Sequence, residues 1–187
     1  LNVADYKVGM ECEVIVIIDG KAYIQPFTIA THVIGTKDEM IGFFATYSNG
    51  ATVDTTGWYV VLTDNITLTA ENSSDPYVRF VEKNKLTWLG RFNGLGHTVS
   101  NISLTGLGGL FGNLGENSII ENVGFTNLTI GKFWYVIANK SSGGSVFRNV
   151  YLQGTASTGE AIMVSGGNGT KISNVVANFK NTLEGSK

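Results

Sequence analysis

Side chains that could act as acids, bases or metal ligands thin out along this chain. Asp5, Asp19, Asp38, Asp54, Asp64 and Asp75 fall early, and after Asp75 only Glu82, Glu116, Glu121, Glu160 and Glu184 remain. Lyases that cleave acidic polysaccharides hold Ca²⁺ between carboxylates beside an Arg or Lys base, and glycosidases need two carboxyl groups at a set separation. No two of the later glutamates recur on one strand face, so no catalytic pair is expected. His97, in Gly96-His97-Thr98, is placed like a general base, yet no carboxylate stands near it to orient the ring. A structural role at a turn is expected for it, and His32 is isolated. Cys12 is the only cysteine, which excludes an intrachain disulfide and a cysteine-based zinc site. The expectation is a protein without catalytic residues, metal ligands or cofactors.

Aromatic side chains offer a different chemistry, because their faces stack on sugar rings. Trp58, Trp88 and the run Lys132-Phe133-Trp134-Tyr135 are the candidates. From these, Trp88, Lys132, Phe133, Trp134 and Tyr135 are taken as the expected glycan contacts. Lys132 and Phe133 fall between two repeats, where no core position is reserved for them.

The elements that would position these residues follow from a repeat. Asparagine followed by Ile or Val, and then by a further apolar residue, occurs at Asn65, Asn101, Asn122, Asn149 and Asn174. The last four recur about every 25 residues, a period typical of solenoids, in which one short unit stacks on its next copy. Each of Asn122, Asn149 and Asn174 is preceded by a second apolar run: Leu110-Phe111-Gly112, Val136-Ile137-Ala138 and Met163-Val164-Ser165. Two short strands per repeat, parted by glycine-rich bends, make a coil of parallel strands spaced about 4.8 Å from rung to rung. The five asparagines are expected to stack as an internal amide ladder. In this alignment Glu121 falls in line with Ser100, Arg148 and Ser173, a variable position expected to face solvent.

Before the repeats the pattern changes. Residues 11–18 are rich in β-branched side chains, Asp19-Gly20 is a type I′ hairpin signal, and residues 21–31 return as a strand. Pro26 lacks a ladder N–H and is expected at an edge or bulge. Residues 36–47 are the one helical candidate, with Thr36 as N-cap, Glu39 three residues on, and Met40, Ile41, Phe43, Phe44 and Tyr47 at helical spacings. Such a helix would cover the open end of the solenoid. The expected domains are residues 1–34, residues 35–56 as linker and capping helix, and residues 57–187 as the solenoid.

Composition narrows the function classes. With 43 % hydrophobic and 15 % charged residues and a formal charge of −2, the chain is a folded one without the basic footprint of a nucleic-acid binder. No apolar stretch approaches the 18 residues that mark a membrane-spanning helix. The chain opens at Leu1 without an initiator Met or a signal peptide, and reads as a segment of something longer.

Residues 90–102, Gly-Arg-Phe-Asn-Gly-Leu-Gly-His-Thr-Val-Ser-Asn-Ile, resemble the opening of the repeats called GLUG motifs. Gly109-Leu110-Phe111-Gly112 with Ile119-Ile120-Glu121-Asn122-Val123 resembles their second half. The resemblance covers about residues 57–180; the later repeats keep Asn-Val and lose Gly-Leu-Phe-Gly. It implies a right-handed parallel β-helix of the pectin-lyase-like superfamily, akin to filamentous-haemagglutinin-like surface proteins. Residues 6–34 resemble the closing strands of a bacterial immunoglobulin-like domain. Together these imply an all-β, non-enzymatic protein of about five rungs that displays or adheres, with glycans or other subunits of an assembly as partners. The implied location is extracellular, on a bacterial surface or on a phage virion as a decoration or fibre protein; a polysaccharide-cleaving enzyme is the remaining alternative.

Overall fold

The computed structural model describes residues 7–48, 53–70, 73–79, 86–105, 109–131, 135–138, 140–157 and 169–182. Strands β1 (Glu11–Ile18) and β2 (Lys21–Thr28) form a two-stranded antiparallel sheet in the register Glu11↔Thr28 to Ile18↔Lys21. Its turn is Asp19-Gly20, with φ of 49° and 74°, the left-handed pair that matches strand twist in a type I′ turn. The Ile29 N–H donates to the Met10 carbonyl, which fixes the alternation of the ladder. Cys12, Val14, Val16 and Ile18 turn their backbone groups inward, while Glu11, Glu13, Ile15 and Ile17 turn theirs outward. Pro26, opposite Glu13, therefore lies at an outward position of β2, where its missing N–H breaks no ladder bond. Among the described residues both faces of the hairpin are open to solvent, with Ile15, Ile17, Tyr23 and Ile24 all at least half exposed.

The rest is a β-solenoid of about five turns. Its longest sheet runs through β3 (His32–Ile34), β4 (Tyr59–Leu62), β8 (Arg91–Asn93), β11 (Ile119–Ile130), β13 (Val146–Ala156) and β14 (Lys171–Asn181), each parallel to the next. Beside it, β5 (Ile66–Thr67) and β6 (Tyr77–Arg79) both pair with β9 (Thr98–Leu104), which pairs with β11. A third sheet stacks β7 (Thr87–Trp88), β10 (Asn113–Leu114) and β12 (Lys140–Ser141). The parallel sheet thus starts at His32, inside the segment that the sequence assigns to the preceding hairpin. Thr31 explains the join: its Oγ1 donates to the Tyr59 carbonyl at 3.0 Å and accepts the Tyr59 N–H at 2.8 Å.

The core is a set of columns. Val60, Phe92, Ile120 and Phe147 stand in register and are buried, and Val99, Phe125 and Leu152 form a parallel column. The expected apolar runs stack as well: Leu110 and Phe111 donate to the carbonyls of Val136 and Ile137. Met163, Val164 and Ser165 lie outside the described residues. At the first rung, α1 (Lys37–Ser48) buries Met40, Phe43 and Phe44 against the core. Its capping box is complete, because Thr36 Oγ1 accepts the Glu39 N–H and Glu39 Oε2 accepts the N–H groups of Thr36 and Gly35. Arg79, itself buried, lies over the Phe44 ring at 3.9 Å and donates to the Leu110 carbonyl, which ties helix to coil.

Asparagines make the corners. Asn101, Asn122, Asn127, Asn149 and Asn174 all have φ between 47° and 67°, a region Asn tolerates better than other side-chain-bearing residues. Two of them bend β11 into three straight segments. The ladder differs from the expected internal column of five: two members stand outside it, and Asn149 and Asn174 are exposed, so it runs along the surface of the coil. Asn174 donates to Asn149 at 3.0 Å, Asn149 to Asn122 at 2.8 Å, and Asn122 to Asn93 at 3.1 Å. Asn101 is not in that column; it stands one corner further on, accepts from Asn127 at 3.0 Å, and donates to the Leu68 carbonyl. Asn65 belongs to neither, its Oδ1 receiving both the N–H and the hydroxyl of Thr98.

Candidate ligand-binding site

Trp58 sits on the shoulder of the coil, just after Gly57, whose φ of 75° turns the chain into β4. The Trp58 N–H closes that turn on the Thr55 carbonyl at 3.0 Å. Its indole is half-buried and packs with His32 at 4.2 Å between ring centres, and with Phe43 and Trp88 at 6.3 Å each. Two open depressions border it. One, of about 370 Å³, is lined by Thr31, His32, Glu39, Phe43, Thr46 and Trp58 among others. The second, of about 250 Å³, lies toward Gly57, Leu89, Gly90, Arg91 and Asn117, with Val8 and Gly9 on its rim.

The polar groups around the first depression are held in place by their bonds. Thr31 Oγ1 bonds the Tyr59 backbone and also lies 2.9 Å from His32 Nδ1, which orients the imidazole. Partial burial lowers the His32 pKa below its ordinary value, so the ring is neutral at pH 7. Glu39 keeps its charge for the helix cap: bonds from the Gly35 N–H, then from Thr36, hold its carboxyl below the usual carboxylate value.

A second arrangement runs across the rungs. Glu121 is fully buried and lies between two guanidinium groups, with Arg91 Nε at 2.5 Å from Oε1, and Arg148 Nε at 2.6 Å and Nη2 at 2.5 Å from Oε2. Arg91 in turn lies over the Tyr59 ring at 4.6 Å. The Tyr59 hydroxyl accepts from Asn93 Nδ2 at 3.2 Å. The solvent-facing position expected for Glu121 is thereby corrected: its carboxylate is the centre of an ionic ladder. It does stand beside Arg148, and Arg148 beside Ser173, but Ser100 pairs with Thr126 on another face.

The expected sugar contacts fare unevenly. Trp88 has no exposed surface; it packs against Phe43, Trp58 and Phe111, and a ring with both faces covered cannot stack on a ligand. Lys132, Phe133 and Trp134 lie outside the described residues, and Tyr135 is half-buried just before the apolar run. The asparagines carry the amide bonds described above. His97 bonds its turn through the backbone, its N–H to Gly94 and its carbonyl from Gly124. Sequence reasoning missed Arg91, Asn93 and Asn117. Asn93 differs from the other ladder members in its backbone, since the left-handed residues of its bend are Leu95 and Gly96.

No group of three or more His, Cys, Asp and Glu side chains that could hold a metal occurs among the described residues, and no described helix is long and apolar enough to cross a membrane. Compared with known proteins, the chain matches no family model, no curated protein and no solved structure.

Proposed function

We propose that this chain is a non-enzymatic, surface-displayed structural and adhesion module that binds glycans. Its place is extracellular, on a bacterial surface or a virion. The observation that carries the reading is the shoulder at Trp58, where a half-exposed indole borders two open depressions on a laddered coil. Sugar recognition uses such a setting, with an aromatic or apolar wall and fixed hydrogen-bonding groups beside it. Two carboxylates near the shoulder support a non-catalytic reading, since Glu121 is saturated by two arginines and Glu39 by a helix cap. The amide ladder accords with the GLUG-type resemblance of residues 90–123.

A glycan array read for retention, together with an assay for released reducing ends, tests this. Retention without product supports the reading, and product release that disappears in carboxylate variants replaces it with an enzyme. The exposed hairpin favours a second reading, a spacer that presents neighbouring modules or subunits, in keeping with its resemblance to strands of an immunoglobulin-like sandwich. A lone hairpin of this kind is marginal in water and gains stability by joining a larger sheet. Retention of no glycan at all would favour the spacer.

A further inference from the structure

We infer that the depression beside Arg91 is a subsite for a carboxylate-bearing sugar, a uronic acid unit; this rests on the glycan reading above and narrows it. The starting point is a charge imbalance. Two guanidinium groups share the one Glu121 carboxylate, so the cluster keeps a positive charge. Its two halves are not alike. Arg148 grips Oε2 side-on through both Nε and Nη2, whereas Arg91 meets Oε1 through Nε alone. Among the described residues neither Nη group of Arg91 has a partner, and its side chain is 37 % exposed.

Arg91 is also held still. The buried carboxylate fixes its Nε, and the Tyr59 ring lies beneath the guanidinium plane. A guanidinium so oriented presents two parallel donors, the arrangement that takes a carboxylate bidentately. An arginine free to wander would lose more entropy on binding.

The rest of the depression suits a saccharide ring. Gly57 and Gly90 leave backbone at the wall with no side chain in front of it. Gly90 is fixed as glycine by packing, since a Cβ there would meet the Trp58 carbonyl at 2.7 Å and the Trp88 ring at 2.9 Å. Leu89 and Val8, 36 % and 47 % exposed, supply apolar surface for C–H groups. Asn117 is exposed and contributes an amide that can donate to, and accept from, ring hydroxyls. A volume of about 250 Å³ is below that of drug-sized pockets and fits one sugar unit better than a larger ligand.

The test uses the whole chain and three probes: an oligogalacturonate, its methyl ester, and a neutral glucose oligomer. Calorimetric titration at low and high salt should show the acid bound about tenfold more tightly than the ester, with the difference shrinking as salt rises. Asn117→Asp adds a negative charge to the wall without touching the ionic ladder, and should weaken the acid about fivefold more than it weakens the ester. Arg91→Gln should remove the preference for the acid. Arg148→Gln takes one positive charge from the far side of the cluster and should lower the preference only about twofold to threefold, well short of the loss in Arg91→Gln. Equal binding of acid and ester, or an Arg148→Gln loss as large as that of Arg91→Gln, overturns the subsite but leaves glycan binding standing. Retention of none of the probes, and of nothing on a wider array, overturns both.

Discussion

Asn149 donates its side-chain amide to the Asn122 carbonyl oxygen at 2.8 Å while both backbones hold left-handed φ, 53° and 52°. Each residue thus does two things at once: it turns the corner, and it bonds its counterpart on the next rung. The two roles separate by substitution. Asn122→Gly keeps the turn and loses both ladder bonds, and should cost about 1–2 kcal/mol in chemical denaturation. Asn122→Leu loses the bonds and strains the turn, and should cost about 3 kcal/mol. Ser100→Ala, which removes surface bonds to Thr67 and Ile66, should cost under about 1 kcal/mol. Equal effects of the three would mean that the ladder is incidental.

Glu121→Gln leaves Arg91 and Arg148 without their shared anion. Breaking a buried ion pair from one side costs about 3–5 kcal/mol, and the outward ends of both arginines place this case at about 3 kcal/mol. Arg148→Gln, on a side chain 47 % exposed, should cost about 1 kcal/mol or less. Thermal melts of the two variants check the order, and the reverse order would show that Glu121 is not the hub.

The capping helix should report pH through Glu39. Its folded pKa is depressed by the N–H groups of Gly35 and Thr36, so its contribution is present above the unfolded pKa and is lost as pH falls through the lower, folded value. Stability measured from pH 7 down to pH 3 should decline less steeply in Glu39→Gln than in the parent chain. Identical slopes would refute the role of the cap.

Glycines give a paired control. A Cβ at Gly154 would run into the Leu128 carbonyl of the rung below, whereas one at Gly42, on α1, meets nothing within 4 Å. Gly154→Ala should therefore destabilise by about 2 kcal/mol or more, and Gly42→Ala should stabilise by about 0.5–1 kcal/mol through helix propensity. Denaturation midpoints that move in the same direction for both would contradict this packing.

Local rules were readable in the sequence where one chemical signal decides the outcome. Asp19-Gly20 gave the hairpin, Thr36 with Glu39 the helix start, and the β-branched run at residues 11–18 the first strand. Register was harder. Between Asn93 and Thr98 the chain carries the four residues Gly94-Leu95-Gly96-His97, with left-handed φ at Leu95 and Gly96, where the next rung has only Asn122-Val123 between Glu121 and Gly124. Matching Asn-Ile to Asn-Val skipped this loop, moved Asn101 into the wrong column, and turned Glu121 outward. The site at Trp58 was hidden for another reason. It is assembled from residues 8–9, 31–46, 57–59, 89–91 and 117, which only the coiling brings together, and no spacing within one repeat encodes that.

Bonds between rungs lie along the axis of the coil, and so do both amide ladders. A pull applied at the last rung therefore loads them one rung at a time rather than all at once. Each detached rung, such as residues 119–145, would release about 27 residues, or roughly 90 Å of slack chain, before the next bears the load. Stretched this way, the coil would yield in steps whose length is its own repeat. The buried clamp of Glu121 on Arg91 and Arg148 would mark the rung at which the steps become hardest.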